Sequence, residues 1–349
     1  MLLGHKAILT AVVIALAACG ADTVTPTPQP APAPTAPSTP QPAEQVEQAA
    51  LSAATVQVPA DLADAPFDEP RQALIPAGWT IEVIARVPKA RMAAWAPDGA
   101  LLISVPSAGQ VRTVIPTQDT LLDGLDQPHG LAFVGSTLYV AESDQIDVYD
   151  YVGGRAVNRR TVVGDLPDAK SPDLGGAYAH ALKSVVVGRD GAVYFSIGST
   201  GNISAEDRTA DPPRATIMRV PPGGGPAEPF ATGVRNGTGL AFAPDGSLWT
   251  AVNNRDNVAE PDGRVVQSYV DDHPPESVAK LTPGRELGWP YCNPDGPAPA
   301  PLIRDVQTNP DGAGDELRRT TRAVRAGRAG RGARVVEPRH AACPGSVVL

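Results

Sequence analysis

Short apolar runs recur in pairs along the middle of the chain, and a turn separates the two runs of each pair. Runs of this kind with turn residues between them are typical of β-strands. The turn contains Asp-Gly in three of the four pairs, which predicts tight type I′ hairpins because the central residues of that turn need positive φ. Between the pairs no segment shows an apolar face at helical spacing, which argues against alternating strands and helices. The four pairs begin at Met92, Pro128, His180 and Gly237.

Further apolar runs between the pairs predict additional strands at residues 111–115, 145–151 and 216–220. A pair together with its additional strands has the length of a four-stranded propeller blade with its loops. A β-sandwich is the alternative, but a motif that recurs at blade length is not expected of that fold. The sequence therefore predicts an all-β protein, a β-propeller of which about four blades are recognisable.

Polar side chains stand next to the strands that we expect to be innermost in each blade. His129 and His180 precede the first strand of their pairs, and Arg235 and Asn236 precede the first strand of the last pair. Loops that lead into inner strands meet at one mouth of a propeller channel, so these side chains are expected to converge there. The alternative is a structural role for each histidine and a simple salt bridge from Arg235 to Asp256 or to another loop carboxylate.

The N-terminal segment is weakly basic and continues into an apolar run over residues 7–17, too short to span a bilayer as a helix. The run ends in Leu16-Ala17-Ala18-Cys19, which resembles the lipobox of bacterial lipoproteins. That resemblance implies that Cys19 becomes a lipidated N-terminus and that the protein is anchored in the bacterial cell envelope, facing the periplasm or the exterior. The alternative is a secretory signal peptide with an incidental cysteine.

A proline-rich segment follows, with eight prolines among Thr, Ala, Gln and Ser in residues 25–42. Such a composition cannot bury a core and favours extended polyproline II. We expect a disordered linker over residues 20–70, within which residues 44–54 form either a short helix or more linker. No later apolar run is long enough to span a membrane as a helix.

Charge and cysteine content bear on three points: a nucleic-acid partner, a cysteine metal site and a disulfide bond. The formal net charge is −9 and the isoelectric point about 5.1, which argues against a nucleic-acid partner. Cys292 and Cys343 have no metal-ligand spacing and could pair in an oxidising compartment.

The C-terminal end differs in composition from the rest of the chain. Residues 301–349 carry a net charge of +4 against −13 for the remainder, and eight arginines lie between residues 317 and 339. No strand is recognisable after residue 292. The pattern predicts a disordered tail over residues 304–349, either a solvated basic extension or the product of a shifted or truncated reading frame.

Five motifs occur in order along the predicted propeller: His180, Gly-Ser-x-Gly-Asn at 198–202, Gly-x-Arg-Asn at 233–236, Asn-x-Arg-Asp at 253–256 and Gly-Trp-Pro at 288–290. In this order they resemble the glucose/sorbosone dehydrogenases, which include soluble glucose dehydrogenase and pyranose dehydrogenases that depend on pyrroloquinoline quinone (PQQ). The resemblance covers about residues 76–295. It implies a six-bladed propeller that holds PQQ and Ca²⁺ at the channel mouth.

The same resemblance implies a role for each matching residue. His180 matches the catalytic base, and Arg235 matches the arginine that faces the quinone oxygens and takes part in catalysis. Asn236 and, with weaker support, His129 match positions beside the cofactor. Main-chain carbonyls of Asn254 and Arg255 fall where the family binds Ca²⁺; a turn cap is the alternative role for Asn254. In the glucose dehydrogenase branch an Asp precedes the histidine, but here Ala179 does, so another group must orient His180.

The resemblance implies a PQQ-dependent oxidoreductase that oxidises an aldose or other sugar by hydride transfer to the quinone and then passes electrons to a quinone or other acceptor. The alternative is a catalytically incomplete propeller lipoprotein that acts as a binding module, because the family's closing blades are not recognisable. A lactonase-type propeller is a third possibility, which would place several carboxylates around its metal. The predicted organisation is a lipoprotein signal peptide (1–19), a linker (20–70), a partial dehydrogenase-like propeller (75–303) and a tail (304–349).

Overall fold

The protein is described by a computed structural model that covers residues 50–174, 176, 178–295 and 302–309. These residues form two compact units. In the smaller unit, β1 (Leu51–Thr55) pairs antiparallel with β2 (Gln72–Pro76). The Nε2 atom of Gln72 donates a hydrogen bond of 2.9 Å to Oγ1 of Thr55 across this pair. The predicted linker over residues 20–70 therefore extends too far, because residues 51–55 already form a strand rather than a helix or linker.

The larger unit consists mainly of antiparallel sheets built from strands that follow one another in the chain, and the third sheet has one additional, parallel strand. The first sheet contains β3 (Ala93–Trp95), β4 (Leu101–Val105), β5 (Gln110–Ile115) and β6 (Asp119–Leu122). The second contains β7 (Leu131–Val134), β8 (Thr137–Ala141), β9 (Ile146–Val152) and β10 (Arg155–Val163). The third contains β11 (Val185–Val187), β12 (Val193–Ile197), β13 (Thr216–Val220) and β14 (Glu228–Thr232).

The fourth sheet is shorter and is followed by small strands. It contains β15 (Gly237–Phe242), β16 (Leu248–Val252) and β17 (Ser277–Leu281). Next, β18 (Arg285–Glu286) pairs in parallel with β14, and β19 (Cys292–Pro294) pairs antiparallel with β20 (Leu302–Arg304).

Helical structure in the described residues is confined to short pieces. There are 3₁₀ turns at Ala60–Leu62, Pro106–Ala108 and Glu206–Arg208, and one α-helix, α1 (Gln267–Val270). None of the described helices has the length and apolar character needed to cross a membrane.

The sheets are arranged as propeller blades, which confirms the predicted fold class. The first strands of the four sheets, β3, β7, β11 and β15, contact one another in sequence order and are therefore the inner strands. Each junction between successive blades contains one cluster of buried apolar side chains. The cluster between the second and third blades includes Ile146 and Phe195, both wholly buried. The apolar runs that predict the strands are thus covered by the neighbouring blades.

The Asp-Gly turns differ from the predicted type I′ hairpins. At residues 96–100, Gly99 adopts φ +85° and its N–H donates to the Ala96 carbonyl, while Asp98 stays outside the positive-φ region. The Asp98 carboxylate instead accepts a hydrogen bond of 3.1 Å from the Ala100 N–H. The same bonds recur at the other two Asp-Gly turns. Three-residue loops with a left-handed glycine have this form, so only the glycine requires positive φ.

The C-terminal part is also more structured than predicted. Contrary to the expectation of no strand after residue 292, β19 and β20 form a pair there. Asp305 and Asn309, in the region predicted to be a disordered tail, are 2% and 1% exposed. Asp305 accepts a 2.5 Å hydrogen bond from the buried Arg255 guanidinium, which holds the segment in place. The predictions for the rest of the tail and for residues 1–49, Cys19 included, lie outside the described residues.

Candidate active site

His180 is held by a residue that sequence reasoning left without a role. His180 lies in the loop between β10 and β11. Its Nδ1 atom is 2.9 Å from the carbonyl oxygen of Ser199 and 2.9 Å from Oγ of the same serine. A carbonyl oxygen can only accept, so the Nδ1 atom carries the proton and Nε2 keeps a lone pair. Within the described residues no hydrogen bond to Nε2 occurs. Ser199 therefore does what the missing Asp before His180 would do: it fixes the ring and its tautomer.

The loop around His180 packs closely on the end of β12. A Cβ atom at Gly198 would lie 2.5 Å from the His180 Cβ and 2.7 Å from its carbonyl oxygen, so only glycine permits this approach. The buried hydroxyl of Tyr178 donates a 2.8 Å hydrogen bond to the Gly198 carbonyl, and the Ala179 N–H donates to the Thr200 carbonyl. The Gly-Ser-x-Gly-Asn motif is thus the platform that carries the histidine.

Arg235 lies two residues before the start of the inner strand β15 and is 5% exposed. Its guanidinium donates to the carbonyls of Asn253 (3.1 Å) and Asn254 (2.7 Å) and to Oδ1 of Asn202 (3.0 Å). The Asp256 carboxylate lies 3.7 Å away and is largely exposed, so a simple salt bridge does not account for the position of the arginine. Burial lowers the pKa of Arg235, in spite of the nearby carboxylates.

His180 and Arg235 belong to one site. The Ser199 N–H donates a 2.7 Å hydrogen bond to the Arg235 carbonyl, so the same residue anchors both. The pKa of His180 is lowered from its ordinary value, first by burial and then by the positive charge of Arg235. Asn236 joins them, because its Oδ1 atom lies 3.2 Å from where a Gly198 Cβ would be. The site therefore offers a neutral imidazole beside a buried cation.

Asn202, the last residue of the same motif, connects this site to the loop after β16. Its Oδ1 accepts from Arg235 and from the Asp256 N–H, and its Nδ2 donates to the Asp256 carbonyl. Its own carbonyl accepts from Nε1 of Trp289, which is buried. Asn202 thus sets the distance between Arg235 and residues 253–256. The motif was visible in the sequence, but nothing in it indicated this bridging contact.

The two residues predicted to bind Ca²⁺ through their carbonyls occupy different surroundings. The Asn254 carbonyl accepts from Arg235, and the Asn254 side chain donates to the Pro275 carbonyl and to Oγ of Ser277. The Arg255 side chain points into a buried ion pair with Asp305. The calcium-binding role of both carbonyls stays a prediction.

His129 is 2% exposed, and its Nδ1 atom lies 3.0 Å from the carbonyl oxygen of Lys183. Burial lowers its pKa. This contact agrees with the structural role that the sequence analysis gave as the alternative for His129. The role of His129 beside the cofactor stays a prediction. Cys292 is buried and disulfide-bonded, while Cys343 lies outside the described residues.

Comparisons with known proteins agree with the fold. The sequence profile of the TrAA12-like family matches residues 74–295. The Trichoderma reesei Carbohydrate-Active Enzymes Family AA12 structure superposes with a TM-score of 0.53 at 19% identity, covering 64% of this chain and 66% of that one. The holo form of the pyranose dehydrogenase PQQ domain from Coprinopsis cinerea also gives a TM-score of 0.53, at 20% identity, covering 64% and 59%.

The match thus spans less than two thirds of the length of either solved structure. A search of curated protein sequences found no match. The family profile nevertheless covers more than half of the chain, and it includes every motif of the candidate site from His180 to Trp289. The chain belongs to the TrAA12-like family.

Proposed function

We propose that this protein is a PQQ-dependent sugar oxidoreductase, with an aldose or related sugar as its substrate. The observation that carries the proposal is the pair formed by His180 and Arg235: a ring with its proton fixed on Nδ1, beside a buried guanidinium. A neutral imidazole with a lowered pKa suits a base that removes a hydroxyl proton near neutral pH. A fixed cation beside it suits an electron-accepting group that gains negative charge.

The site chemistry fits PQQ, an anion with several carboxylates. The Nε atom of Arg235 is buried and has no hydrogen-bond partner among the described residues, so the guanidinium retains a donor. A buried donor without a partner is costly, and an acceptor-rich anion would relieve that cost. Arg235 and Asn236 are the residues that would hold the cofactor at its reacting end. A holo PQQ domain among the similar structures supports the same cofactor.

The loop after β16 fits Ca²⁺ in its donor chemistry. This loop offers the Asn254 carbonyl and the carboxylates of Asp256 and Glu276. Oε2 of Glu276 accepts a hydrogen bond of 2.8 Å from the Asn254 N–H. Oxygen donors of this kind suit Ca²⁺. A carbonyl has two lone pairs, so the bond from Arg235 leaves the Asn254 oxygen one acceptor position. A calcium structure of the Trichoderma AA12 enzyme supports the same ion.

PQQ, when bound, supplies a quinone that takes up a hydride from the sugar carbon. The protein's part is to remove the proton from the hydroxyl on that carbon. The Nε2 lone pair of His180 would accept this proton, and the Nδ1–H bond to Ser199 would stabilise the resulting imidazolium. The Arg235 guanidinium would supply positive charge without moving, because Asn202 and two carbonyls already hold it. The two electrons would leave through a quinone or other acceptor.

Reconstitution tests the proposal. Purified protein with added PQQ and Ca²⁺ should bind PQQ in calorimetry and should reduce an artificial dye when an aldose is supplied. His180→Gln should retain PQQ binding while kcat falls by about 10² or more, the usual scale for loss of a general base. Lys170→Gln is the matched control, because Lys170 lies in the same loop as His180 but is exposed and pairs with Asp126. A folded protein that binds no PQQ would contradict the proposal and favour the binding module.

We also propose that the protein is lipid-anchored in the bacterial cell envelope through Cys19, on the basis of the Leu16-Ala17-Ala18-Cys19 sequence. Two acyl signals on one residue hold a protein at a membrane where a single chain does not. The full chain should partition into detergent after expression in a bacterium that processes lipoproteins. Cys19→Ser should move it to the aqueous fraction or leave the precursor uncleaved, and unchanged partitioning would contradict the anchor.

A further inference from the structure

Lys183 is among the largest wholly buried side chains of the described residues, and it lies three residues after His180. Lysine is rarely buried without a partner, because its ammonium group loses hydration. Here Nζ donates to the carbonyls of Ala181 (2.7 Å) and Pro167 (2.9 Å). The ammonium also lies 5.2 Å from the centre of the Tyr178 ring. These contacts all fall on the loop that carries His180.

The main chain of Lys183 makes a second connection, to the preceding blade. Its carbonyl oxygen accepts from Nδ1 of His129 (3.0 Å) and from the N–H of Gly130 (2.9 Å). A Cβ atom at Gly130 would lie 2.9 Å from that oxygen and 2.7 Å from the nitrogen of Val185, so the two inner strands meet there as closely as backbones can. Lys183 therefore joins both ends of the His180 loop to a rigid part of the neighbouring blade.

Three carboxylates provide the charge that a buried ammonium requires. Asp126, Asp144 and Asp168 present oxygens within 4.8 Å of one another, and their charges act to raise the pKa of Lys183. Burial outweighs them and lowers that pKa to about 7. Asp126 is also paired with the exposed Lys170, at 2.5 Å. The lysine is thus kept inside at a considerable electrostatic cost, which is unusual for a residue that serves packing alone.

We propose that Lys183 is a positioning residue for His180: by holding the Ala181 and Pro167 carbonyls, it fixes the buried placement of the imidazole. The role of the histidine in catalysis rests on the proposed function, but its placement does not. Because burial is the first cause of the lowered His180 pKa, a loop released from Lys183 admits water to the ring. The His180 pKa then rises toward its ordinary value, and this change can be measured without cofactor.

The test is an NMR titration of the histidines of the protein without PQQ, with His180 assigned from the spectrum of His180→Gln. Lys183→Met keeps a long side chain and removes every N–H donor, and it should raise the His180 pKa. Lys170→Met is the matched control, since it removes an exposed lysine from the same loop and should leave the His180 pKa unchanged. An unshifted His180 pKa in folded Lys183→Met would overturn the proposal.

If Lys183→Met does not fold, Lys183→Gln takes its place, because its amide keeps two N–H donors on a shorter chain. It should shift the His180 pKa in the same direction by a smaller amount, and no shift would equally overturn the proposal. In enzyme loaded with PQQ and Ca²⁺, the variant should lose kcat, by up to about 10²-fold for a displacement of about 1 Å, with KM unchanged. A loss of thermal stability alone, with normal kcat and His180 pKa, would show a merely structural lysine. Inactive wild-type protein would count against the proposed function and leave the titration result standing.

Discussion

Gly198→Ala is the substitution for which the structure gives the most direct expectation. The added Cβ would lie 2.5 Å from the His180 Cβ, whereas ordinary contact begins at about 3.4 Å, so the two must separate by about 0.9 Å. The His180 carbonyl, 2.7 Å from the same position, blocks an easy adjustment in that direction. The backbone at Gly198 does not have a positive φ, so the effect is steric alone. The histidine should therefore move away from the end of β12, and its contacts to Ser199 should lengthen.

The expected magnitude follows from that displacement. Overpacking of a closed site costs about 1–3 kcal/mol of stability. A misplacement of about 1 Å in a catalytic group costs about 10²-fold in rate, so kcat should fall by that factor with PQQ binding retained. The assay is dye reduction by the reconstituted enzyme, with calorimetric PQQ binding and thermal unfolding measured on the same samples.

Gly201→Ala is the matched control for Gly198→Ala. Gly201 belongs to the same motif, but a Cβ there meets no atom within 4 Å, and its φ is not positive. This variant should keep wild-type kcat and stability. Equal kcat values for the two variants would refute the reasoning, because they would show that the close approach at Gly198 does not place His180.

Three other predictions concern charge. Asp305→Ala should lower the free energy of unfolding by about 3–5 kcal/mol in chemical denaturation, because it leaves the buried Arg255 without its carboxylate partner. A decrease in the free energy of unfolding below about 1 kcal/mol would show that the ion pair is dispensable. The midpoint at which kcat/KM falls on acidification should lie below pH 6.5, because burial and the charge of Arg235 lower the pKa of His180 from that ordinary value. Arg235→Ala should move the midpoint to higher pH, and an unmoved midpoint would contradict the electrostatic coupling. Burial raises the pKa of Glu142 from 4.5 to about 7, although Arg159 pairs with this carboxylate. The contribution of protonated Glu142 to stability is therefore complete below pH 4.5 and is lost as the pH rises through about 7. Glu142→Gln should flatten the dependence of stability on pH in that window, and an unchanged slope would assign the slope to other groups.

The blades were predictable from sequence because many of their strands are largely buried, which leaves short apolar runs separated by turn residues. The pair β19 and β20 left no such pattern, since each strand has three residues and β19 ends in a proline. The placement of His180 and Arg235 in loops that lead into inner strands could be predicted from the strand pattern, whereas their roles were implied by the family resemblance and stay predictions. Ser199 and Asn202 could not be given roles, because their contacts join residues 19 and 33 positions apart in the chain, and only the folded chain brings those residues together.

Each cluster of buried apolar side chains lies between two blades, with consequences for how the protein unfolds. In a structure of this kind each blade contacts only its neighbours, and the coupling between adjacent blades carries most of the stability. No blade gains much by remaining folded after its neighbour has opened, so intermediates with one blade missing should be sparsely populated. His180 lies in the connection between the second and third blades, and Arg235 lies in the connection between the third and fourth blades. Denaturant that opens either boundary should therefore abolish cofactor binding in the same cooperative transition that removes the β-sheet signal.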